Sequence, residues 1–423
     1  MPSPDALVRR AAAAANSSPA RLLATLLTGP CAAEARGVTR HTLLAVCPTS
    51  PAVVEAAIDA AEHARAPLLV VATLNQVDRD GGYTGWTPAA LRSAVDDARA
   101  SYEATVPVLL GLDHGGPYKK DAQHDAQPPL PDALAATEAS IDACLAAGYE
   151  VLHLDATTDP HHDGPLPVEA LVDRTVHLQQ YAERARRAHK APPIGYEVGP
   201  EEAHAKDAAA RFEAFVTGWQ NAQHRADVGP PVFVVGDLGT QLNTQAFDAS
   251  RARRFATLAH ERLGALLKAH YTDDVDDLPA YPLHGVGGAN VGPGLAAVEY
   301  DALCELAALA ERIGAPSEIP SVVRHAVVAS ERWTKWVDDP APAFDALPAS
   351  TQAWLVRTGS RYVWSTAAVQ EARRALYDRV QPYRNGPAYV HWRLRTALLR
   401  YLHAFNLVGW CDALPTWLAA ARS

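Results

Sequence analysis

Cysteine is scarce and scattered in this sequence. The five residues, Cys31, Cys47, Cys144, Cys304 and Cys411, are odd in number and form no Cys-x-x-Cys pair. That argues against a disulfide framework and a thiolate zinc site, and points to a reducing, cytoplasmic setting. Long apolar runs are missing too: none reaches the roughly 18–20 residues that a membrane span needs. The alanine-rich start after Arg9-Arg10 is too short and too weakly apolar for a secretory core segment. Positive charge is in deficit, with 38 Lys+Arg against 48 Asp+Glu and a net charge of −10. A general attraction for nucleic acid or anionic lipid is therefore not expected, although a local basic pocket for an anionic metabolite is compatible with that balance. An early G-x-G-x-x-G turn, the mark of a dinucleotide fold, does not occur.

What the chain does have is length, 423 residues, and 48% hydrophobic composition. That suffices for a barrel of roughly 250–300 residues with appendages. From about residue 40, short β-branched or leucine-rich runs alternate with alanine-rich helical stretches. The strand expectations are Thr42–Cys47, Pro67–Thr73, Val106–Leu112, Val151–Leu154, Pro193–Val198, Val232–Gly236, Leu266–Ala269 and Leu283–Ala289. The last two are the weakest patterns, one carrying a lysine and the other rich in glycine. Helical patterns lie between them, at Pro51–Arg65, Pro131–Ala147, Pro167–His189, Glu201–Gln223 and Pro293–Ile313. About eight such repeats predict an α/β fold, a TIM (β/α)8 barrel. The expected organisation is an N-terminal helical extension over 1–39, a barrel over 40–336, and a C-terminal helical subdomain over 337–423, entered through the proline- and aspartate-rich Val337–Ser350. The tail is crowded with Tyr362, Trp364, Tyr377, Tyr383, Tyr389, Trp392 and Tyr401. It reads as a layer packed on the barrel or on another subunit, which favours a homo-oligomer.

In such barrels the chemistry sits where strands end. Strand three ends at Asp113-His114, strand four at Asp155, strand five at Glu197, strand six at Asp237, and the seventh region at His270 with Asp273. Histidines with carboxylates suit a divalent ion, which can polarise a ketose carbonyl and stabilise an enediolate. His114 is expected to bind the metal while Asp113 handles the proton. A lone strand-end aspartate also serves as an ordinary helix cap. His153 reads as a core or inter-strand histidine, His161 and His162 as solvated loop residues, and His284 as a reserve ligand. Two glycine-rich stretches, Asp80–Gly85 after Asn75-Gln76 and Gly287–Gly294, are candidates to hold substrate. The second leads into a helix whose free N–H groups would favour an anion such as phosphate.

These residues carry a resemblance. The string Asn75–Pro88 (NQVDRDGGYTGWTP) resembles the long signature of the tagatose-bisphosphate aldolase accessory-subunit family, within the class II aldolases. LDHGGP at 112–117, HLDAT at 153–157, IGYEV at 194–198, AHYTDD at 269–274 and NVGPGL at 290–295 are similar to later motifs of that family, in the same order. The resemblance covers roughly residues 40–315. It implies a class II aldolase-type barrel with a divalent metal, usually Zn²⁺, with Mn²⁺, Co²⁺ or Ni²⁺ as alternatives. The implied chemistry acts on a small sugar or sugar phosphate, either as an aldolase or as a ketose 4-epimerase. Some members are instead helpers of a separate aldolase catalytic subunit.

Motif matching makes His114 and His270 the metal ligands, with Glu197 as a third ligand or a group behind them. Asp113, Glu197 and Asp237 become the catalytic candidates. Asn75, Gln76, Gly82, Tyr83, Asp155, Gln241, Asp273, Asn290 and Gly292 become the substrate-binding candidates. Three departures stand out. Asp237 and Gln241 occupy the region where the family commonly has a glutamate, Asn290 replaces a common lysine, and Val71 replaces a glutamate. The lost lysine argues for a sugar with one phosphate or none.

Overall fold

The computed structural model describes residues 2–28, 40–200, 207–226, 228–242, 246–273, 275–337 and 340–420. Eight parallel strands close in sequence order into a barrel. They are β1 (Leu43–Val46), β2 (Leu68–Thr73), β3 (Val108–Gly115), β4 (Val151–Leu154), β5 (Gly195–Val198), β6 (Phe233–Val235), β7 (Leu266–Ala269) and β8 (Val286–Val291). Each pairs with the next, and β8 returns to β1 through pairs such as Ala45 with Asn290. The expected TIM barrel is thus observed. Nearly every strand residue is buried, because helices cover the outside and side chains fill the inside. The helices start where the sequence provides caps. Ser50 accepts from the Val53 N–H ahead of Pro51–Ala64, and Thr87 accepts from the Ala90 N–H ahead of Pro88–Ser101, each followed by a proline in the first turn.

Two expectations shift. Leu283 belongs to the short helix Ala280–Leu283, so β8 begins only at Val286 and runs on to Val291. The helix expected at Glu201–Gln223 runs over Ala208–Ala226, and residues 201–206 lie outside the described ones. Residues 29–39, and Cys31 with them, also lie outside.

The appendages close the two ends of the barrel differently. Helices Pro4–Ala14 and Pro19–Thr28 sit at the N-terminal ends of the strands. There Arg9 bonds the Val108 carbonyl and pairs with Glu150, and Arg21 bonds the carbonyls of Pro230 and Pro231. After helix Pro293–Arg312 the chain turns towards the opposite mouth through Ile319–Ala329 and the short 3-10 turns Arg332–Trp336 and Ser360–Tyr362. It then packs Gly386–Ala404 along Pro51–Ala64, with His391 and Arg395 on Asp59 at 2.8 and 3.0 Å. No helix among the described residues is long and apolar enough to cross a membrane.

Candidate active site

The site begins with an irregularity in β3. Leu112 pairs with Leu152, but Gly115 pairs with Leu154, so β3 carries one extra residue between them. His114 takes up the bulge with φ at +48°. A bulge turns side chains that would otherwise alternate in and out, and here it presents Asp113 and His114 together. Opposite them stands His153 on β4, which is only 1% exposed.

One ligand atom each from Asp113, His114, His153 and His270 lies within 4.8 Å of the others. Three imidazoles and a carboxylate are the N/O donor set that zinc and its neighbours take. On that donor chemistry the residues fit a divalent ion. His114 is held for the task, since its Nδ1 lies 2.5 Å from Asp155 Oδ2. Hydrogen bonding at Nδ1 fixes the ring and leaves Nε2 to coordinate. Asp155 in turn takes Lys119 Nζ at 2.8 Å and the Thr157 hydroxyl at 2.6 Å. Asp113 Oδ1 is 2.9 Å from His153 Nδ1, and its Oδ2 accepts from the Asn290 amide at 3.0 Å. His270 Nε2 is 3.1 Å from Glu197 Oε1 and 3.6 Å from Asp113 Oδ1.

The charges in this cluster hold one another. Burial alone would raise the Asp113 carboxyl, but His114, His270, the His153 hydrogen bond and Lys268 outweigh it and keep it well below the usual carboxylate range. Glu197 is likewise opposed by burial, yet Lys268, His153 and His270 bring it down to about 2. Asp155 is held well below its usual value, burial again being overcome, here by Lys119 and His114. Cys47 at the end of β1 goes the other way. Burial and the facing Asp113 and Asp273 push its thiol up, which makes it a poor nucleophile.

Above the cluster lies a cavity of about 250 Å³. Of the expected residues it gathers Asn75, Gln76, Tyr83, Asp113, His114, His270, Asp273, Asn290 and Gly292. Asp155 and Glu197 stand behind the histidines and do not line it. Glu197 is not among the four converging donors: its Oε2 meets Lys268 Nζ at 2.5 Å and its Oε1 supports His270 at 3.1 Å.

Other expected residues lie away from the cavity or take part in the local backbone. Asp237 faces its own loop, accepting from the Gly239 N–H at 2.7 Å and lying 3.4 Å from Arg251, and is not at the cavity. Gln241 does not line it either. Gly82 serves the turn: φ is +50°, and a Cβ there would come within 2.3 Å of the Gln76 carbonyl. The N–H groups of Gly292 and Gly294, expected to meet a substrate anion, donate to Asp273 Oδ1 at 2.9 and 2.7 Å. That carboxylate already satisfies the helix end it faces. His153, read as a core histidine, is buried and is also one of the four converging donors. His161 and His162 stay exposed, and His284 precedes β8, at the far end of the barrel.

Two groups of residues went unread in the sequence. Lys268 looked like a flaw in a strand, yet it is the buried counter-ion of Glu197. Arg332, Lys335, Trp336, Arg361 and Tyr362 line the cavity from the two 3-10 turns beyond the barrel. Their only signal was the basic-aromatic wording of RWTKW and RY.

The fold and this cluster define a (β/α)8 barrel with a His/Asp centre at the C-terminal mouth. The model of the D-tagatose-1,6-bisphosphate aldolase subunit GatZ/KbaZ-like family matches residues 31–391, and the chain belongs to that family. A solved structure described as a probable tagatose 6 phosphate kinase from Sinorhizobium meliloti 1021 is 25% identical. It matches 86% of this chain and 100% of its own, with a TM-score of 0.65. Fructose-bisphosphate aldolase from Campylobacter jejuni is 12% identical, matching 87% of this chain and 91% of its own at a TM-score of 0.50, a likeness of fold.

Proposed function

We propose that this chain carries out metal-dependent aldol-type chemistry on a ketose or ketose phosphate of the tagatose/fructose kind, as a 4-epimerase or as an aldolase. The observation that carries the reading is the convergence of Asp113, His114, His153 and His270 under a cavity of metabolite size. A divalent ion held by His114, His153 and His270 would supply Lewis-acid polarisation of the ketose oxygens, leaving Asp113 beside it as the base. Asp113, ionised at neutral pH, would accept the C4 hydroxyl proton. Asn290 fixes the Asp113 carboxylate, and Asp155 fixes the His114 ring. Glu197 with Lys268 sets the field behind His270. The four described cysteines are unpaired, in keeping with a cytoplasmic place of action.

The alternative is a non-catalytic subunit of a separate aldolase, favoured by the family's own description as an aldolase subunit. A scaffold has no physical need for a buried three-histidine cluster, so we rank it second. The name of the Sinorhizobium structure raises phosphoryl transfer. Magnesium for that chemistry takes carboxylate and phosphate oxygens rather than three imidazoles, which disfavours it here.

A proton NMR time course of the zinc-supplemented protein decides. The substrates are fructose, tagatose, their 6-phosphates and their 1,6-bisphosphates. The expected outcome is either a new ketohexose with no triose, which makes it an epimerase, or triose phosphates, which make it an aldolase. Silence throughout, together with co-purification of an active aldolase chain, would replace the catalytic reading with the subunit one.

A further inference from the structure

The cavity has a basic ceiling that neither the family description nor the cluster below it accounts for. Three cations, Arg332, Lys335 and Arg361, line it from the turns beyond the barrel. Among the described residues one carboxylate answers them: Asp121 lies 2.6 Å from Arg332 Nη2 and also pairs with Lys335. Arg361 is 5% exposed and has no carboxylate within 4.0 Å among the described residues. Its recorded bonds go to the Thr358 carbonyl and, at 2.6 Å, to the Tyr362 hydroxyl, two of a guanidinium's five donors. A buried guanidinium without a counter-ion is costly unless a ligand completes it. Arg332 Nε is buried with no hydrogen-bond partner among the described residues, and so is the Thr49 hydroxyl at the cavity's edge.

The ceiling is rigidly built. Arg361 lies 4.2 Å from the Tyr362 ring centre and 5.5 Å from that of Trp336. Arg332 lies 4.8 Å from Tyr362 and 5.2 Å from Tyr83. Tyr83 and Tyr362 meet edge to face at 5.1 Å. Flat guanidinium groups stacked on rings keep their forks pre-aimed, which suits bidentate recognition of an oxyanion.

We infer that Arg361, with Arg332 and Lys335, binds a terminal anionic group of the substrate, phosphoryl or carboxylate, while the sugar carbonyl end faces the Asp/His cluster. This deepens the proposed function and rests on it for the orientation of the sugar. It also relocates the anion subsite. The helix end at Gly292–Gly294, where an anion was expected, is occupied by Asp273, whereas the described residues of the ceiling set three cations against one carboxylate. A cavity of about 250 Å³ is below the roughly 300 Å³ at which drug-sized sites begin. That is room for one small metabolite and one such group.

The test is calorimetric binding of unreactive open-chain polyols to the zinc-loaded full chain, wild type and Arg361→Gln. The probes are glucitol 6-phosphate, gluconate and glucitol. Wild type is expected to bind an anionic probe more tightly than glucitol. Arg361→Gln is expected to lose about 10–100-fold for that probe, the worth of one or two charge-assisted bonds, with glucitol unaffected. Loss confined to glucitol 6-phosphate identifies a phosphoryl group, and loss confined to gluconate identifies a carboxylate. Equal affinity of wild type for all three probes, or an Arg361→Gln protein that binds them as wild type does, overturns the inference. Where Arg361→Gln fails to fold, the less buried pair Arg332→Gln with Lys335→Gln carries the same test. Because no probe reacts, anion binding that depends on the ceiling stands even if no ketose is ever turned over. Failure of the subsite and failure of the catalytic reading are therefore told apart.

Discussion

Lys268 and Glu197 are each about 1% exposed and lie 2.5 Å apart inside the barrel. Neither charge would tolerate that place alone. Removing one partner of a buried pair typically costs about 3–5 kcal/mol, whereas removing both can be nearly neutral. We therefore expect Lys268→Met to lower unfolding free energy by about 3 kcal/mol or more in urea titrations. Adding Glu197→Gln should recover a large part of it. If the double variant is as unstable as the sum of the singles, the pair is not the reason for the lysine. The same residue shows the limit of reading a strand by hydrophobicity. LLKAH looked weak because a lysine interrupts it, although its partner, the glutamate of IGYEV, was already singled out on another strand. Pairing across 71 positions is a tertiary fact that periodicity does not carry. Asp113, His114 and His270 were legible because each comes directly after an apolar strand-like run in the sequence. His153 was not, since an inward-facing histidine within a strand looks the same in sequence whether it fills a core or faces a cluster.

At the level of elements, the barrel was legible wherever strand and helix periods alternate cleanly, as in β2, β4 and Pro293–Arg312. The ends of β3 and β8 were less so, because irregularity there is set by neighbours. β3 runs on through Asp113-His114-Gly115 as a bulge. β8 is glycine-rich for steric reasons: a Cβ at Gly287 would come within 2.6 Å of Leu266, and one at Gly288 within 3.2 Å of the Lys268 stem. The tightest element contact follows the bulge, where a Cβ on Gly116 would stand 1.6 Å from the Asp155 carbonyl oxygen. That oxygen is backbone and cannot swing aside. Gly116→Ala should therefore lose at least the ~1–3 kcal/mol of an overpacked core, and with it the Asp155 support of His114. Gly164→Ala is the matched control. Its φ is +78° but nothing lies within 4 Å, so its cost should stay near the ~1–2 kcal/mol of a left-handed residue. Equal melting midpoints for the two variants would refute the steric account.

For the whole molecule, buried titratable groups set the range of pH in which the fold is stable. On the acid side, Asp113, Asp155 and Glu197 titrate lower in the fold than in an unfolded chain, so their stabilisation is complete above about pH 4–5 and fades as pH falls. On the alkaline side the sign reverses. Burial pushes the thiols of Cys47, Cys144, Cys304 and Cys411 up. An unfolded chain releases those protons above about pH 8.5 while the native one keeps them. Stability should then fall as pH rises, by up to ~1.4 kcal/mol per pH unit for each thiol. Cys144 and Cys411 are remote from the metal-type cluster, so they can be removed without disturbing it. Cys144→Ala with Cys411→Ala takes away two of the four thiol contributions among the described residues; the buried tyrosines keep theirs. Its urea-derived stability between pH 8.5 and 9.5 should decline less steeply than that of wild type. The slope is the quantity to read, because each substitution also opens a small cavity that lowers stability by a constant amount at every pH. An unchanged slope would mean that these thiols ionise as readily in the native protein as in the unfolded chain, and that the alkaline limit is set elsewhere.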